Sequence, residues 1–379
     1  MDVSLRVAVV GTGFVGPHHI DAARRTGDAD VVLIVGTNRE RTAARADALG
    51  VARHSTDLAD ALADDIDVVH VCTPNRSHVE IGLAALGAGK HVVIEKPVAL
   101  DGDSGERLAA EARRRGLHGL VAFTYRGYPM VRRARALVAG GELGAARLIH
   151  GAYLQDWLAY ESDFNWRVIE AEGGASRAVA DIGSHWFDTA EFVSGERVSA
   201  VFADFSRFID TRNRPGPGVE TFAAAGPGGE PFAITTEDAA TILVRFVGGA
   251  RGSCVVSQVS HGHKNSLSLE VTGADRTIAW HQEQPEELWL ASRDSAQTLR
   301  RDAVRVERGV PSLPAGHPEG WSEALRDLLR PFYAAIAAGR APAADGSADY
   351  PTLGDGVRAV RFVEAALQSS REARWVEVG

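Results

Sequence analysis

The chain has 379 residues, more than one hydrophobic core normally accommodates, so two domains are expected. Its 45% hydrophobic and 24% charged residues are ordinary for a soluble globular protein, and a net charge of −9 without any unbroken run of Lys and Arg argues against a nucleic-acid or anionic-membrane surface. Two cysteines, Cys72 and Cys254, both in apolar strand-like runs, exclude a disulfide scaffold and a thiolate zinc site. The N-terminus lacks a basic n-region and a long apolar h-region, and no stretch approaches a membrane span. A cytoplasmic protein with no metal and a small-molecule partner is expected.

The first third alternates β-branched runs with helical patterns. Strands are predicted over 6–11, 31–36, 66–74, 91–97 and 117–125, with helices over 16–27, 39–50, 78–90 and 104–116 and a short helix in DLADALAD. Buried strands joined by helices of this length imply crossover connections and a doubly wound parallel sheet. After Tyr125 the rhythm changes. A helix in PMVRRARALVAGGELG precedes period-two stretches within 146–157, 197–209, 239–260 and 266–280, the third a hairpin around Gly248 and Gly249. Helices follow at about 321–338 and 355–369. The fold class expected is therefore α/β: an N-terminal Rossmann domain over 1–125, then an α+β domain over 126–379 with a large open, mixed but mostly antiparallel sheet. The Pro- and Gly-rich stretch 211–232 reads as a solvated surface loop, with a lid as the alternative.

The chemistry is concentrated in four motifs. In VAVVGTGFVG, Gly11, Gly13 and Gly16 follow a strand and open a helix, with Phe14 and Val15 between them. Gly11 permits the tight turn, Gly13 lets the backbone approach a pyrophosphate, and Gly16 allows close packing of helix on strand. The acidic residue expected at the end of the second strand is missing; Gly36, Thr37, Asn38 and Arg39 stand there. NADP is thus as well suited as NAD, unless Arg39 is only a solvated first-turn residue. In CTPNRSH, Cys72, Thr73, Pro74, Asn75 and His78 flank the end of a parallel strand, where ligands sit, while Asn75 and Ser77 also suit helix capping. Glu95 and Lys96 end the next strand, ahead of Pro97, where both are expected against the cofactor, and an ammonium there could polarise a carbonyl or stabilise an alkoxide; a snorkelling lysine is the alternative. Finally, DIGSH places Asp181 and His185 four residues apart at a helix start, where Asp181 or Ser184 can cap and the pair shares one face as a potential acid and base.

Together GTGFVG, TPNRSH, EKP and DIGSH, in this order, resemble the Gfo/Idh/MocA oxidoreductases. That resemblance implies Lys96, Asp181 and His185 as the catalytic trio, a cis Lys96–Pro97 bond, and a homodimer or homotetramer formed through the open sheet face. A narrower resemblance rests on GAYLQDW, NWR, GGASRAVADIGSHW and AGHPEGW, and points to the levoglucosan dehydrogenase branch, which oxidises a sugar ring at C3. It implies Trp166 beside the nicotinamide, and Tyr125, Gln155, Trp157, Arg167 and His317, with the trio, against the substrate. The function expected is NAD(P)-dependent oxidation of a secondary hydroxyl of a sugar, anhydrosugar or cyclic polyol. Inositol dehydrogenation, glycoside cleavage through transient C3 oxidation, and a non-catalytic cofactor sensor are the rivals.

Overall fold

The computed structural model describes residues 4–215, 229–302, 313–343 and 348–379. The chain divides into two compact units, Met1–Gly127 with Trp321–Val357, and Tyr128–Gly320 with Arg358–Gly379.

In the first unit β1 (Leu5–Val10), β2 (Ala29–Val35), β3 (Arg53–Ser55), β4 (Val68–Val71), β5 (His91–Ile94) and β6 (Gly119–Val121) form a parallel sheet of order β3-β2-β1-β4-β5-β6. Val7, Val9, Val68, Val69, Val92 and Val93 are fully buried, because crossover helices cover both faces of such a sheet. These helices are α1 (Val15–Thr26), α2 (Arg39–Leu49), α3 (His78–Gly87) and α4 (Gly102–Arg115). The expected order of strand and helix is seen, with β3 as an addition. The sixth strand is shorter than 117–125, giving way to a 3-10 turn over Thr124–Gly127.

The second unit opens with α5 (Pro129–Ala139), β7 (Ala146–Leu154), the single turn α6 (Glu170–Gly173), α7 (Ser184–Ser194) and β8 (Val198–Ser206). There follow β9 (Thr211–Arg214), β10 (Glu230–Ala233), β11 (Ala239–Phe246), β12 (Arg251–Ser257), β13 (Ser266–Gly273), β14 (Thr277–His281), β15 (Glu287–Ala291) and β16 (Ala296–Arg300). After α8 (Trp321–Ala337) and α9 (Leu353–Glu372), β17 (Val376–Glu377) closes the chain. The main sheet runs β16-β15-β14-β13-β7-β12-β11-β8-β17, antiparallel except where β7 meets β12. Its β11 alternates Ala240, Ile242 and Val244 inward with Thr241, Leu243 and Arg245 outward. The hairpin turns at Gly248 and Gly249 as expected, Gly249 adopting φ +97°.

Two expectations need correction. Strands β9 and β10 pair antiparallel, so the two ends of 211–232 are a hairpin rather than loop; residues 216–228 lie outside the described residues. The helix expected over 321–338 falls within the expected second domain, whereas α8 packs in the first unit. Its Leu325, Leu328, Leu329, Phe332 and Tyr333 join Val7, Ile20, Val68 and Leu120 in one core. Spacing of three and four identifies the buried stripe of a helix without naming the sheet it covers. Among the described residues no helix is long and apolar enough to cross a membrane.

Candidate active site

The glycine turn after β1 has the geometry of a phosphate cradle. Gly11 sits at φ +122°, and a Cβ there would lie 2.3 Å from the Cys72 carbonyl oxygen; one on Gly16 would lie 2.3 Å from the Gly11 oxygen. Gly13 has nothing within 4 Å of its Cβ position, so backbone is bare where a pyrophosphate would approach. Phe14 is exposed and Val15 opens α1, whose N-cap residue supplies no side-chain hydrogen bond to the first turn. The residues present therefore fit a dinucleotide. Thr37, Asn38 and Arg39 lie exposed between β2 and the first turn of α2, with the Asn38 side chain accepting from the Arg41 amide at 2.9 Å.

Past β4, Cys72 is buried while Thr73 and Asn75 are accessible. Ser77 does not cap α3 as expected; its hydroxyl donates backward to Thr73 Oγ1 at 2.8 Å and the Pro74 carbonyl at 2.9 Å. His78 is fully buried, with its ring nitrogens 2.8 Å from the carbonyl oxygens of Thr73 and Pro97. It thereby ties the loop after β4 to the loop after β5, and burial lowers its pKa.

Lys96 stands half-buried at the end of β5, and the Lys96–Pro97 peptide is cis. Its amide donates to Glu95 Oε2 at 3.2 Å. Glu95 Oε1 meets His19 Nε2 at 3.0 Å, His19 Nδ1 meets His70 Nδ1 at 3.0 Å, and His70 Nε2 meets the Tyr333 hydroxyl at 2.8 Å. Burial alone would hold His19 neutral, but the Cys72 sulfur and the Glu95 carboxylate outweigh it and raise its pKa to about 10. Burial pushes the Cys72 thiol up as well, which leaves Glu95 as the charged neighbour near neutral pH. Glu95 is held below its ordinary value because His19 and Lys96 overcome its own burial. Burial and the His19 charge hold His70 neutral. With these charges His19 donates to both Glu95 and His70, and His70 donates to Tyr333. Tyr125 is buried in the 3-10 turn after β6.

In the second unit Asp181 lies in a π-helical turn, Val179–Gly183, that runs straight into α7. It is not a cap, and Ser184 instead donates to the Ala180 carbonyl at 2.7 Å. Asp181 accepts from Arg167 Nε at 3.2 Å and from Gln258 Nε2 at 2.8 Å, while buried His185 on α7 lies with its ring 6.2 Å from that of Tyr153. The turn is held from below. Glu237 accepts from Ser176 Oγ at 2.8 Å and the Val179 amide at 2.9 Å, and Arg177 and Arg212, both fully buried, bond Asp238. Burial raises the pKa of Glu237; Asp238, despite burial, is held low by Arg177 and the Phe208 and Ile209 amides.

Beside this turn Gln155 and Trp157 leave the end of β7. The Trp157 indole donates to Gln155 Oε1 at 2.9 Å, and Gln155 Nε2 donates to Asn265 Oδ1 at 3.1 Å, an oxygen that also receives the Tyr153 hydroxyl. Trp157 also packs on a small core of Leu158, Val168 and Ile234. Arg167 lies 4.6 Å above the Trp166 ring. Gln155 N bonds the Ser257 carbonyl, adjacent to Gln258, so one polar patch joins Gln155, Trp157, Arg167 and Asp181. His317 is exposed and outside it; its carbonyl accepts from Arg301. Sequence reasoning missed Gln258, Asn265, His19 and His70. A fully buried glutamine at a strand end is the signal that Gln258 offered, but burial is visible only once the sheet is assembled.

The family pattern described as an oxidoreductase family with an NAD-binding Rossmann fold matches residues 5–123, and the Gfo/Idh/MocA C-terminal domain matches 131–279. The chain is 31% identical to levoglucosan dehydrogenase of Pseudarthrobacter phenanthrenivorans across 99% of this chain and 98% of that one. An oxidoreductase domain protein from Kribbella flavida superposes with TM-score 0.89 at 31% identity, covering all of both chains. Levoglucosan dehydrogenase in complex with NADH and levoglucosan superposes with TM-score 0.89 at 27% identity, covering 99% of this chain and 100% of that one.

Proposed function

The chain belongs to the Gfo/Idh/MocA oxidoreductase family, and from that membership we propose that it is a dehydrogenase of sugars, anhydrosugars or cyclic polyols, oxidising a ring hydroxyl at C3. The observation that carries this reading is the polar patch of Gln155, Asn265, Arg167, Asp181 and Gln258. Gln155 is bonded to Asn265 and to the Trp157 indole, and Asp181 to Arg167 and Gln258, and the backbone bond from the Gln155 amide to the Ser257 carbonyl links the segments that carry the two sets. Fixed donors and acceptors answer ring hydroxyls, and an indole face answers the C–H face of a sugar. The relative crystallised with levoglucosan supports the same substrate class.

A bound nicotinamide dinucleotide supplies the hydride acceptor. In the protein, His185 takes the hydroxyl proton, Lys96 stabilises the developing alkoxide, and Asp181, its charge offset by Arg167, keeps the acid–base group oriented. Purified protein is to be screened against monosaccharides, anhydrosugars and inositols by the absorbance of reduced nicotinamide. Reduction with at least one ring polyol is expected. Aglycone release from glycosides without net reduction would move the assignment to a glycosidase, and tight dinucleotide binding with no turnover on any of them to a sensor.

A further inference from the structure

We infer that this chain takes NADP(H) in preference to NAD(H), with Arg39 pairing the 2′-phosphate; the inference rests on the proposed dehydrogenase reading and adds the identity of its coenzyme. Dinucleotide sites selective for NAD place a carboxylate at the end of the second strand, where it accepts from the ribose hydroxyls and repels a phosphate. The residue directly after β2 is Gly36, and the structure leaves no room for a side chain there. A Cβ at Gly36 would lie 2.3 Å from Thr42 Oγ1 and 2.7 Å from Thr12 Cγ2.

Neither threonine yields easily. Both are buried and β-branched, and Thr42 is further fixed by donating to the Asn38 carbonyl at 2.6 Å. Gly36 is itself held by its amide bond to the Ser55 carbonyl at 3.0 Å. The alternative acceptor, Asn38 Oδ1, is occupied by the Arg41 amide at 2.9 Å. What the loop turns outward is donor-rich: the Thr37 hydroxyl, the Asn38 amide nitrogen, and Arg39, whose exposed side chain makes no hydrogen bond or ion pair among the described residues.

The nearby carboxylates are Glu40, exposed on α2, and Asp57 and Asp60 beyond β3. Asp57 is engaged by the Ala59 amide and Asp60 by the Ser55 hydroxyl. A planar guanidinium with nothing else to bind suits a phosphate monoester, which offers it two oxygens at once. A ribose 2′-hydroxyl gives it little.

The test is equilibrium binding to the full-length protein, read by the fluorescence of NADPH and of NADH, with 2′,5′-ADP and 5′-AMP as competitors. NADPH is expected to bind at least about tenfold tighter, and 2′,5′-ADP to compete better than 5′-AMP. Arg39→Ala is expected to reduce the ratio of the two affinities to about threefold or less. Thr37→Asp, which adds a carboxylate in the open part of the loop, is expected to turn preference toward NADH, with an unchanged melting temperature showing that the fold is intact. Equal or tighter binding of NADH by the wild type overturns the inference while leaving the dehydrogenase reading standing. A preference for NADPH that Arg39→Ala does not alter overturns the role of Arg39. Binding of neither coenzyme overturns the dinucleotide reading itself.

Discussion

A carboxylate buried at a strand end needs a local counter-charge, and Glu95 finds it in His19, seventy-six positions earlier in the chain. The raised pKa of His19 makes this pair a source of pH-dependent stability. A base whose pKa is higher folded than unfolded contributes fully below its unfolded value, near 6.5, and loses that contribution as pH climbs toward about 10. Glu95, whose folded pKa is depressed, contributes above its ordinary 4.5 and loses it as pH falls. Denaturant unfolding of wild type and His19→Gln should therefore differ most between pH 4.5 and 6.5, by about 3 kcal/mol, and progressively less above neutrality. A difference independent of pH would show that His19 is uncharged in the fold. At this scale legibility follows distance in sequence. The roles of Gly11, Gly13 and Gly16 are set by a turn six residues long and could be read directly. The His19–Glu95 and His70–Tyr333 pairs depend on which helix covers which strand, α1 against the end of β5 and α8 against β4, and a single sequence does not display that.

The π turn at Val179–Gly183 illustrates the same limit for an element. Spacing in DIGSH correctly placed Asp181 and His185 at a helix start, but a cap was expected where the chain forms a wide turn continuous with α7. The reason lies some sixty residues downstream, in Glu237 and Asp238, whose carboxylates gather Ser176, Arg177 and the Val179 amide. That network fixes the turn, and through it Asp181. Arg177→Ala would leave Asp238 with a weakened set of partners in a buried site and should cost about 3–5 kcal/mol in denaturant unfolding. A loss below about 1 kcal/mol would mean the turn is held by other contacts. Helix α8 teaches a complementary lesson. Its apolar stripe was legible, and its host was not, because a helix of suitable pattern covers any apolar sheet that the chain brings to it.

For the molecule as a whole, alternation of periods along the chain was enough to separate a parallel sheet from a mixed one, since burial on two faces and on one face writes different patterns. The division at Gly127 lies two residues from the expected 125, and residues 321–357 return to the first unit. The first unit carries the glycine turn and Lys96; the second carries Asp181, His185 and the patch around Gln155 and Gln258. Lys96 is the group whose proposed chemical role is most readily separated from a structural one, because it is half-buried at a strand end rather than packed in a core. Turnover and dinucleotide affinity of wild type and Lys96→Ala should be measured side by side on the ring polyol oxidised fastest in the screen. Turnover is expected to fall at least about a thousandfold while dinucleotide affinity stays within about threefold; turnover within tenfold of wild type would contradict the assignment of Lys96 to the chemistry.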